Sequence, residues 1–341
     1  MLKKSAYICL LFFASSSWVG IHASSAGQVF YGTYGAQNIG TGGANGAVIA
    51  DPSALLVNPA GLSQINGEDK DEDSLEKESE ETFDNSAENP LPEGFWDNEE
   101  KDKNTDSRER TFEMQIFSTY GQMTLDRKIV YSGIGLTLFK GTVGIGFLGS
   151  LVDGIQGYNE NGVATQALTY RYGNIMLGYA RESGILRWGL SANFMQEYLG
   201  TASIYGGGFS FGVQLAPIPI INVGLALKNL AGVYQRSVGS SRYELMDTEL
   251  DFSLAITPPT TNFKIMSSFN RNMGSVDNPT TTRIGVMFLI TKFMYLMGGL
   301  QDGNLAFGAG LELPFLKFAY SVNRDPLRIG LQHFIDLNFV F

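Results

Sequence analysis

The stretch that decides the fold is LRIGLQHFIDLNFVF, residues 327–341. Its odd-numbered positions are almost all apolar, whereas most of its even-numbered positions are polar or glycine. A period of two over this length predicts a β-strand with one apolar face and one wetter face. The length is typical of a strand that crosses a bilayer at a tilt, and the run ends on the aromatic Phe341. The stretch therefore predicts a transmembrane β-strand.

Residues 1–26 have the layout of a cleaved secretory signal peptide. Two lysines precede an apolar run, small residues follow it, and cleavage after Ala23 or after Ala26 fits the pattern. The only cysteine, Cys9, lies inside this segment, so the mature chain is expected to have no thiol for a disulfide, a metal site or nucleophilic chemistry. No later segment is apolar for 18 or more residues without a break, and no transmembrane helix is predicted.

The net charge of −10 is concentrated in one part of the chain. Residues 68–110 carry 18 acidic and 6 basic side chains, a balance of −12, so the rest of the chain is close to neutral. Such a segment cannot bury enough apolar surface to offset the entropy of ordering it. We predict that residues 67–110 form a disordered acidic linker on the periplasmic side, with a periplasmic protein as a candidate partner. No nucleic-acid partner is expected.

From residue 111 to residue 341, segments of alternating hydrophobicity follow one another and are separated by turn signals. Fourteen such segments can be counted; in residues 209–215, for example, Phe, Phe, Val and Leu alternate with Ser, Gly and Gln. Tight connections such as residues 140–141 alternate with longer loops, as in bacterial outer-membrane barrels. We therefore predict an all-β fold, a transmembrane antiparallel β-barrel of about 14 strands with both ends on the periplasmic side. A soluble β-sandwich is the alternative, but it would need shorter strands.

Residues 27–66 belong to neither the signal peptide nor the strands. They are rich in Gly and Ala and contain GTGGA at residues 40–44 and NPAGL at residues 58–62. These motifs resemble the N-terminal hatch of FadL-type long-chain fatty-acid transporters, a superfamily that also includes PorV-like outer-membrane proteins. The segment LALKNL at residues 225–230 and the closing strand are also similar to that family. The resemblance covers the chain apart from the signal peptide and the linker, and it implies the outer membrane of a diderm bacterium.

The resemblance implies a hatch, residues 27–66, that plugs the lumen of the barrel and gates it. The implied hatch and gate residues are Gly42, Gly43, Asn58, Pro59, Ala60 and Gly61. In the family, hydrophobic substrate enters from outside and leaves sideways through a gap in the barrel wall, at a kink in the third strand. The matching segment here loses its alternation near Gly149, which is our candidate for the kink.

If the apolar faces of the strands meet lipid, many Met and aromatic side chains face the lumen. Methionine adapts to irregular apolar ligands, so this pattern favours a hydrophobic passage over an open porin. Packing against the hatch would also explain it. The candidate ligand-lining residues are Met195, Met287, Phe293, Met297 and Phe334, with Lys264 and Arg283 as candidate partners of a carboxylate headgroup. Such charges could instead form cross-strand pairs, as Asp251 with Lys264 or Glu312 with Lys317 would allow.

Few residues of the chain could carry out enzymatic chemistry. Without the signal peptide the only histidine is His333, so a Ser–His triad has one candidate base and a multi-His metal site is excluded. We predict no catalytic residue, metal or cofactor. The expected function is passive uptake of long-chain fatty acids or similar hydrophobic compounds across the outer membrane, by hatch-gated lateral diffusion into lipid. The alternative is a PorV-like scaffold or interaction protein in secretion or assembly.

Overall fold

The computed structural model describes residues 34–65 and 113–341, apart from residues 139, 159–160, 238–242, 259–260, 274–279 and 326–328. The predicted signal peptide (1–26) and the predicted acidic linker (67–110) lie outside the described residues. So do the two ends of the predicted hatch and the first two residues of the predicted barrel.

Within the described residues, the alternating segments form fifteen strands of one antiparallel sheet. They are β1 (Met114–Gln122), β2 (Lys128–Leu138), β3 (Gly141–Ile155), β4 (Leu168–Ser183), β5 (Leu186–Leu199), β6 (Ala202–Ile218), β7 (Ile221–Arg236), β8 (Tyr243–Leu245), β9 (Glu249–Ile256), β10 (Phe263–Asn272), β11 (Thr280–Leu289), β12 (Met294–Gln301), β13 (Asn304–Leu313), β14 (Leu316–Arg324) and β15 (Leu331–Val340).

The sheet closes into a barrel, because β6 pairs with β7 and β1 pairs with β15. The short strand β8 and strand β9 both pair with β7, so they share one position in the wall. The barrel therefore has the fourteen positions that the sequence predicts. The backbone of Met114 exchanges two hydrogen bonds with that of Phe341, of 3.1 and 2.9 Å, which places both ends of the barrel chain at the same end of the barrel.

The predicted strand positions are close to those observed, with shifts at the ends. The first strand is Met114–Gln122 instead of 111–119, and the last begins at Leu331 instead of residue 327. Strands β6 and β7 run well beyond their predicted segments. They do so because backbone hydrogen bonds between hairpin partners continue where the side-chain alternation has already ended.

The outer face of the barrel is apolar. In β15 the exposed side chains alternate with buried ones, so that Leu331, Ile335 and Phe339 face out while Phe334 and Asp336 face in. Large apolar side chains are exposed in the same way on the other strands. A continuous apolar belt of this kind is the lipid-facing surface of an outer-membrane barrel.

None of the helices in the described part of the chain combines the length and the apolar character needed to span a bilayer.

The hatch, as far as the structure describes it (residues 34–65), lies inside the barrel. It contains two short α-helices, α1 (Ala36–Gly40) and α2 (Ala54–Val57), and the 3-10 helix η1 (Pro59–Ile65). Helix α1 contacts strands β12–β15, whereas η1 contacts β2–β6. The hatch therefore crosses the lumen from one part of the wall to another, and nearly all of its residues are buried.

Candidate functional site

The Asn58–Pro59–Ala60 turn of the hatch is pressed against strands β5 and β6. Gly189 of β5 and Gly212 of β6 are register partners at this point. A Cβ atom on Gly189 would lie 2.4 Å from the carbonyl oxygen of Pro59, and one on Gly212 would lie 2.1 Å from Oδ1 of Asn58. No side chain fits here, so this pair of glycines, the first glycine seat, lets the hatch backbone touch the wall backbone.

Asn58 ties this turn to the wall and to the rest of the hatch. Its Nδ2 donates hydrogen bonds to the carbonyl oxygens of Gly46 in the hatch and Val213 in β6, both at 3.1 Å. The backbone N–H of Ala60 donates to its Oδ1, also at 3.1 Å. The side chain is almost fully buried, and the asparagine singled out from the sequence is thus a structural anchor of the hatch.

Replacing Asn58 with aspartate is expected to loosen the hatch, because a carboxylate has no donor for the two carbonyl oxygens. Only the bond to Val213 joins the hatch to the wall. Its loss weakens hatch docking by about 1 kcal/mol, which corresponds to roughly fivefold more frequent opening. The measurement is maleimide labelling of Ser63→Cys, a buried hatch position, in a chain whose natural cysteine is Cys9 alone. The control is Asn262→Asp, at an exposed amide between β9 and β10. Equal labelling of the two variants would contradict the anchoring role.

The Thr41–Gly42 turn meets the wall in the same manner at strands β11 and β12. Gly285 and Gly299 are register partners there, and they form the second glycine seat. A Cβ atom on Gly285 would lie 2.3 Å from the carbonyl oxygen of Thr41, and one on Gly299 would lie 2.1 Å from the backbone nitrogen of Gly42. Gly42 and Gly43 have φ angles of 65° and 79°, a conformation that favours glycine. The predicted Gly-rich motif therefore makes a tight turn that docks on bare backbone.

Further contacts fix the hatch between the two seats. Nε2 of Gln64 donates to Oε1 of Gln214 at 2.7 Å, and Nε2 of Gln214 donates to the carbonyl oxygen of Gly46 at 3.0 Å. The hydroxyl of Tyr131 donates to the carbonyl oxygen of Pro52 at 2.7 Å. These bonds join the hatch to strands β2 and β6, so the hatch is an integral part of the closed barrel.

A buried polar cluster, made of Lys228, Glu249, Asp251, Asn270 and Arg283, lies on the inner faces of β7, β9, β10 and β11. Nη1 of Arg283 and Oδ2 of Asp251 are 3.0 Å apart, and both side chains are at most 5 % exposed. Nζ of Lys228 lies 3.9 Å from Oε1 of Glu249, and Nδ2 of Asn270 donates to both carboxylates. The cluster contains two cations and two anions, and Arg283 is paired with the carboxylate of Asp251 in the wall.

The cross-strand pairs differ in part from the sequence expectation. Glu312 and Lys317 are register partners and form the predicted ion pair. The predicted pair of Asp251 with Lys264 is wrong, because the register of β10 places Asn270 opposite Asp251. Lys264 lies toward the other end of β10.

A cavity of about 130 Å³ lies between the hatch and strands β1 and β10–β15. Two of the predicted ligand-lining residues, Lys264 and Met287, line it together with Asp51, Phe117 and Tyr295. Burial raises the pKa of the Asp51 carboxyl, and hydrogen bonds from Ser53 oppose this shift. Pockets for drug-sized ligands measure roughly 300–1,000 Å³. With the hatch in place, the cavity is too small for a long-chain ligand.

The other predicted lining residues do not meet in one pocket. Met297 packs on the hatch, where a Cβ atom on Gly40 would lie 3.0 Å from its Cε. Phe334 is buried against Gly121 of β1, and Met195 lies beside Gly206 of β6. Phe293 was assigned wrongly: it lies in the turn before β12 and is 52 % exposed, because that strand begins only at Met294.

The strand ladder shows no irregularity at Gly149, the candidate for the kink. Strand β3 keeps an unbroken register through this residue, which pairs with Val130 of β2 and Gly173 of β4. The register of β3 shifts only between Val152 and Ile155. A glycine keeps its backbone hydrogen-bonding groups, so it weakens a strand without interrupting the ladder. The third strand therefore stays paired on both sides at Gly149.

Sequence reasoning missed the wall glycines that receive the hatch. Their signal is glycine at alternating positions on the inner faces of adjacent strands, as at Gly133 and Gly135 in β2 and at Gly144 and Gly146 in β3. A strand face without side chains indicates that another part of the chain comes close to it. The hatch is that part.

His333 lies on the outer face, where its Nδ1 is 2.7 Å from the hydroxyl of Tyr320. No group of three or more His, Cys, Asp or Glu side chains with the arrangement of a metal site occurs among the described residues.

No protein-family model and no curated protein sequence matches this chain. Solved structures do match it. The toluene transporter TodX of Pseudomonas putida is 13% identical, with 90% of this chain and 96% of that chain covered and a TM-score of 0.52. The monoaromatic hydrocarbon channel CymD is 11% identical, with coverages of 90% and 96% and a TM-score of 0.54. A FadL homologue of Pseudomonas aeruginosa is 10% identical, with coverages of 91% and 98% and a TM-score of 0.52.

At identities of 10–13%, the similarity shows a shared fold. All three proteins are described as transporters, channels or a FadL homologue and not as enzymes. The closed antiparallel barrel of fourteen positions, the apolar outer belt and the helical segment inside the lumen confirm the architecture predicted from the hatch motifs and the closing strand. This chain has the fold of the FadL-type outer-membrane transporters.

Proposed function

We propose that this protein carries hydrophobic compounds passively across the outer membrane, and that displacement of the hatch opens the path. The observation that carries the proposal is that the hatch fills the lumen of the barrel. Two hatch turns dock on glycine seats in the wall, and the cavity of about 130 Å³ between the hatch and the wall holds no long ligand. A path of useful width therefore requires the hatch to move, which breaks its hydrogen bonds with Val213, Gln214 and Tyr131 of the wall.

The substrate class follows from the interior surfaces and from the similar proteins. The inner surface is rich in Met and Tyr side chains, which accommodate apolar molecules of varied shape. Two similar structures are those of a toluene transporter and a monoaromatic hydrocarbon channel. The proposed substrates are hydrophobic compounds, from small aromatic hydrocarbons to long-chain fatty acids.

A charged side chain that lines the cavity would distinguish acidic substrates from neutral ones. Lys264, which lines the cavity, is the proposed contact for a carboxylate headgroup. We expect Lys264→Met to lower uptake of oleate by about tenfold, as expected for a hydrogen bond to a charged group, and to leave uptake of toluene unchanged. The control is Lys292→Met, at an exposed position between β11 and β12.

The test of the function is uptake of radiolabelled toluene and oleate by cells that lack their own outer-membrane uptake route and express this protein. Saturable uptake of either probe above the empty-vector level is the expected result. If neither probe is taken up although the protein migrates as a folded, heat-modifiable barrel, the transport proposal is wrong. A scaffold role would then be preferred, and partners that co-purify with the full chain but not with a chain lacking residues 68–109 would identify it.

A further inference from the structure

We propose that the wall opens for sideways passage at the middle of β7, and this inference rests on the proposed transport function. The site is the β7 break, defined as residues 229–232 of β7 together with Gly206, Gly207 and Gly208 of β6. It lies four strands away from β3, whose register is continuous through Gly149. The strand ladder is interrupted on both sides of β7 at this one height.

On the β6 side, β7 contains two extra residues. Gly207, Phe209 and Phe211 of β6 pair with Val233, Leu230 and Leu227 of β7, so each step of two residues in β6 matches a step of three in β7. These are two β-bulges in succession. Each bulge leaves one residue of β7 without a register partner and weakens the ladder at that point.

On its other side, β7 changes partners at the same height. Residues 233–235 pair with β8, and residues 221–228 pair with β9. Residues 229–232 lie between these two ladders. The backbone N–H of Met246 donates to the carbonyl oxygen of Gly232 at 2.8 Å and bridges the interruption.

The backbone of the break is strained in the closed wall. Asn229 and Ala231 have φ angles of 56° and 50°. This left-handed conformation is unfavourable for a residue that has a Cβ atom, and for alanine no side-chain hydrogen bond compensates. Separation of β6 from β7 would release both residues, so the strain favours opening at this place.

At the β7 break the backbones of β6 and β7 lie close together, and the flexible side chain of Met246 covers them. A Cβ atom on Gly208 would lie 3.2 Å from Cα of Gly232, which shows how closely the two backbones approach. Met246 lies over Gly232, with its Sδ 2.8 Å from the place of a Cβ atom. Movement of this unbranched side chain and a small separation of two strands would uncover an opening.

Apolar side chains lie at both mouths of the break. On the inside, Met195 and Tyr234 lie against Gly206, with atoms 2.9 and 2.8 Å from the place of its Cβ atom. On the outside, Phe209 and Val233 are 60 % and 39 % exposed on the lipid-facing surface. Charged side chains lie next to the inner mouth but are paired, Lys228 with Glu249 and Arg236 with Glu244. Met195, predicted from the sequence to line the passage, lies at the inner mouth.

A reversible cross-link tests the proposal. Phe209 and Leu230 are register partners across the break, and register partners are close enough for a disulfide. The control pair is Phe147 and Ile175, exposed register partners of β3 and β4. Because the only natural cysteine is Cys9, the engineered pairs react alone in residues 10–341.

Oxidation of Phe209→Cys/Leu230→Cys is expected to lower toluene uptake at least tenfold, with recovery in dithiothreitol, whereas Phe147→Cys/Ile175→Cys keeps its uptake. Unchanged uptake by a fully cross-linked Phe209→Cys/Leu230→Cys protein would overturn the proposal while the transport function stands. Loss of uptake in the control pair alone would place the opening at β3 and also overturn it.

If the reduced proteins carry neither toluene nor oleate, the transport function itself has failed, and amide hydrogen exchange then decides whether the wall opens at β7. Faster exchange is expected in residues 211–215 of β6, which are paired on both sides in the closed wall, than in residues 144–150 of β3, which are also paired on both sides. Equal exchange in the two segments would overturn an opening at the β7 break.

Discussion

Replacing Gly299 with valine is expected to displace the hatch and to make the barrel permeable to water-soluble molecules. A Cβ atom at this position would lie 2.1 Å from the backbone nitrogen of Gly42 and 2.3 Å from the carbonyl carbon of Thr41. These are backbone atoms of a tight turn, so they cannot rotate away as a side chain could. Overpacking in a well-packed core costs about 1–3 kcal/mol, and we expect the upper end of this range here.

The neighbouring residue supplies a matched control. Gly298 lies in the same strand, and no atom comes within 4 Å of the place of its Cβ atom. Gly298→Val adds the same side chain to the same strand without touching the hatch. We expect Gly299→Val, but not Gly298→Val, to speed maleimide labelling of Ser63→Cys and to admit a hydrophilic chromogenic β-lactam. Equal behaviour of the two valine variants would mean that the second glycine seat does not hold the hatch.

Replacing Arg283 with methionine is expected to lower the free energy of unfolding by about 3–5 kcal/mol, because it leaves a buried carboxylate without its partner. Asp251 is 4 % exposed, and its remaining contact within the buried polar cluster is a hydrogen bond of 3.3 Å from Asn270. The measurement is the urea concentration or the temperature at which the folded gel band is lost.

Two further variants separate the effect of the lone charge from the loss of packing. Arg283→Met/Asp251→Leu removes both charges, and we expect much of the lost stability to return. Lys317→Met breaks an exposed ion pair, since the side chains of Lys317 and Glu312 are 38% and 48% exposed. This variant is expected to lower the free energy of unfolding by less than about 1 kcal/mol. A single Arg283 variant as stable as the double variant would show that Asp251 tolerates burial alone.

The strands could be predicted from the sequence because a barrel wall imposes a period of two on every segment that lies between lipid and lumen. That signal depends on neighbouring residues only. It fails at the ends of strands, where lipid no longer sets the pattern, and for this reason Phe293 was predicted to line the lumen although it lies before β12. Strands β8 and β9 share one position in the wall, and the alternation of apolar and polar residues does not reveal this division.

The hatch could be placed by its motifs, and Asn58 was identified as important in this way. Its docking sites could not be predicted, because Gly299 matters only through the register that sets it opposite Gly285 and the turn at Gly42. The partner of Arg283 depends on register in the same way: Asp251 lies two strands away from it. One bulge of β7 lies within the LALKNL segment and the other directly follows it, and the amino-acid pattern alone does not show the extra residues.

The seam between β1 and β15 gives the hatch a role in barrel assembly. Asn338 in the closing strand donates a hydrogen bond to Gln115 of β1 across 223 positions of the chain, and Asp336 of the same strand accepts one from the backbone of Gln37 in the hatch across 299 positions. Helix α1 rests on β12–β15, so its resting place is complete only after the last strand has joined the sheet. Contacts between such distant positions form late in folding. Closure of the seam and docking of α1 are therefore coupled steps, and an unfinished barrel would have no place to hold its own hatch.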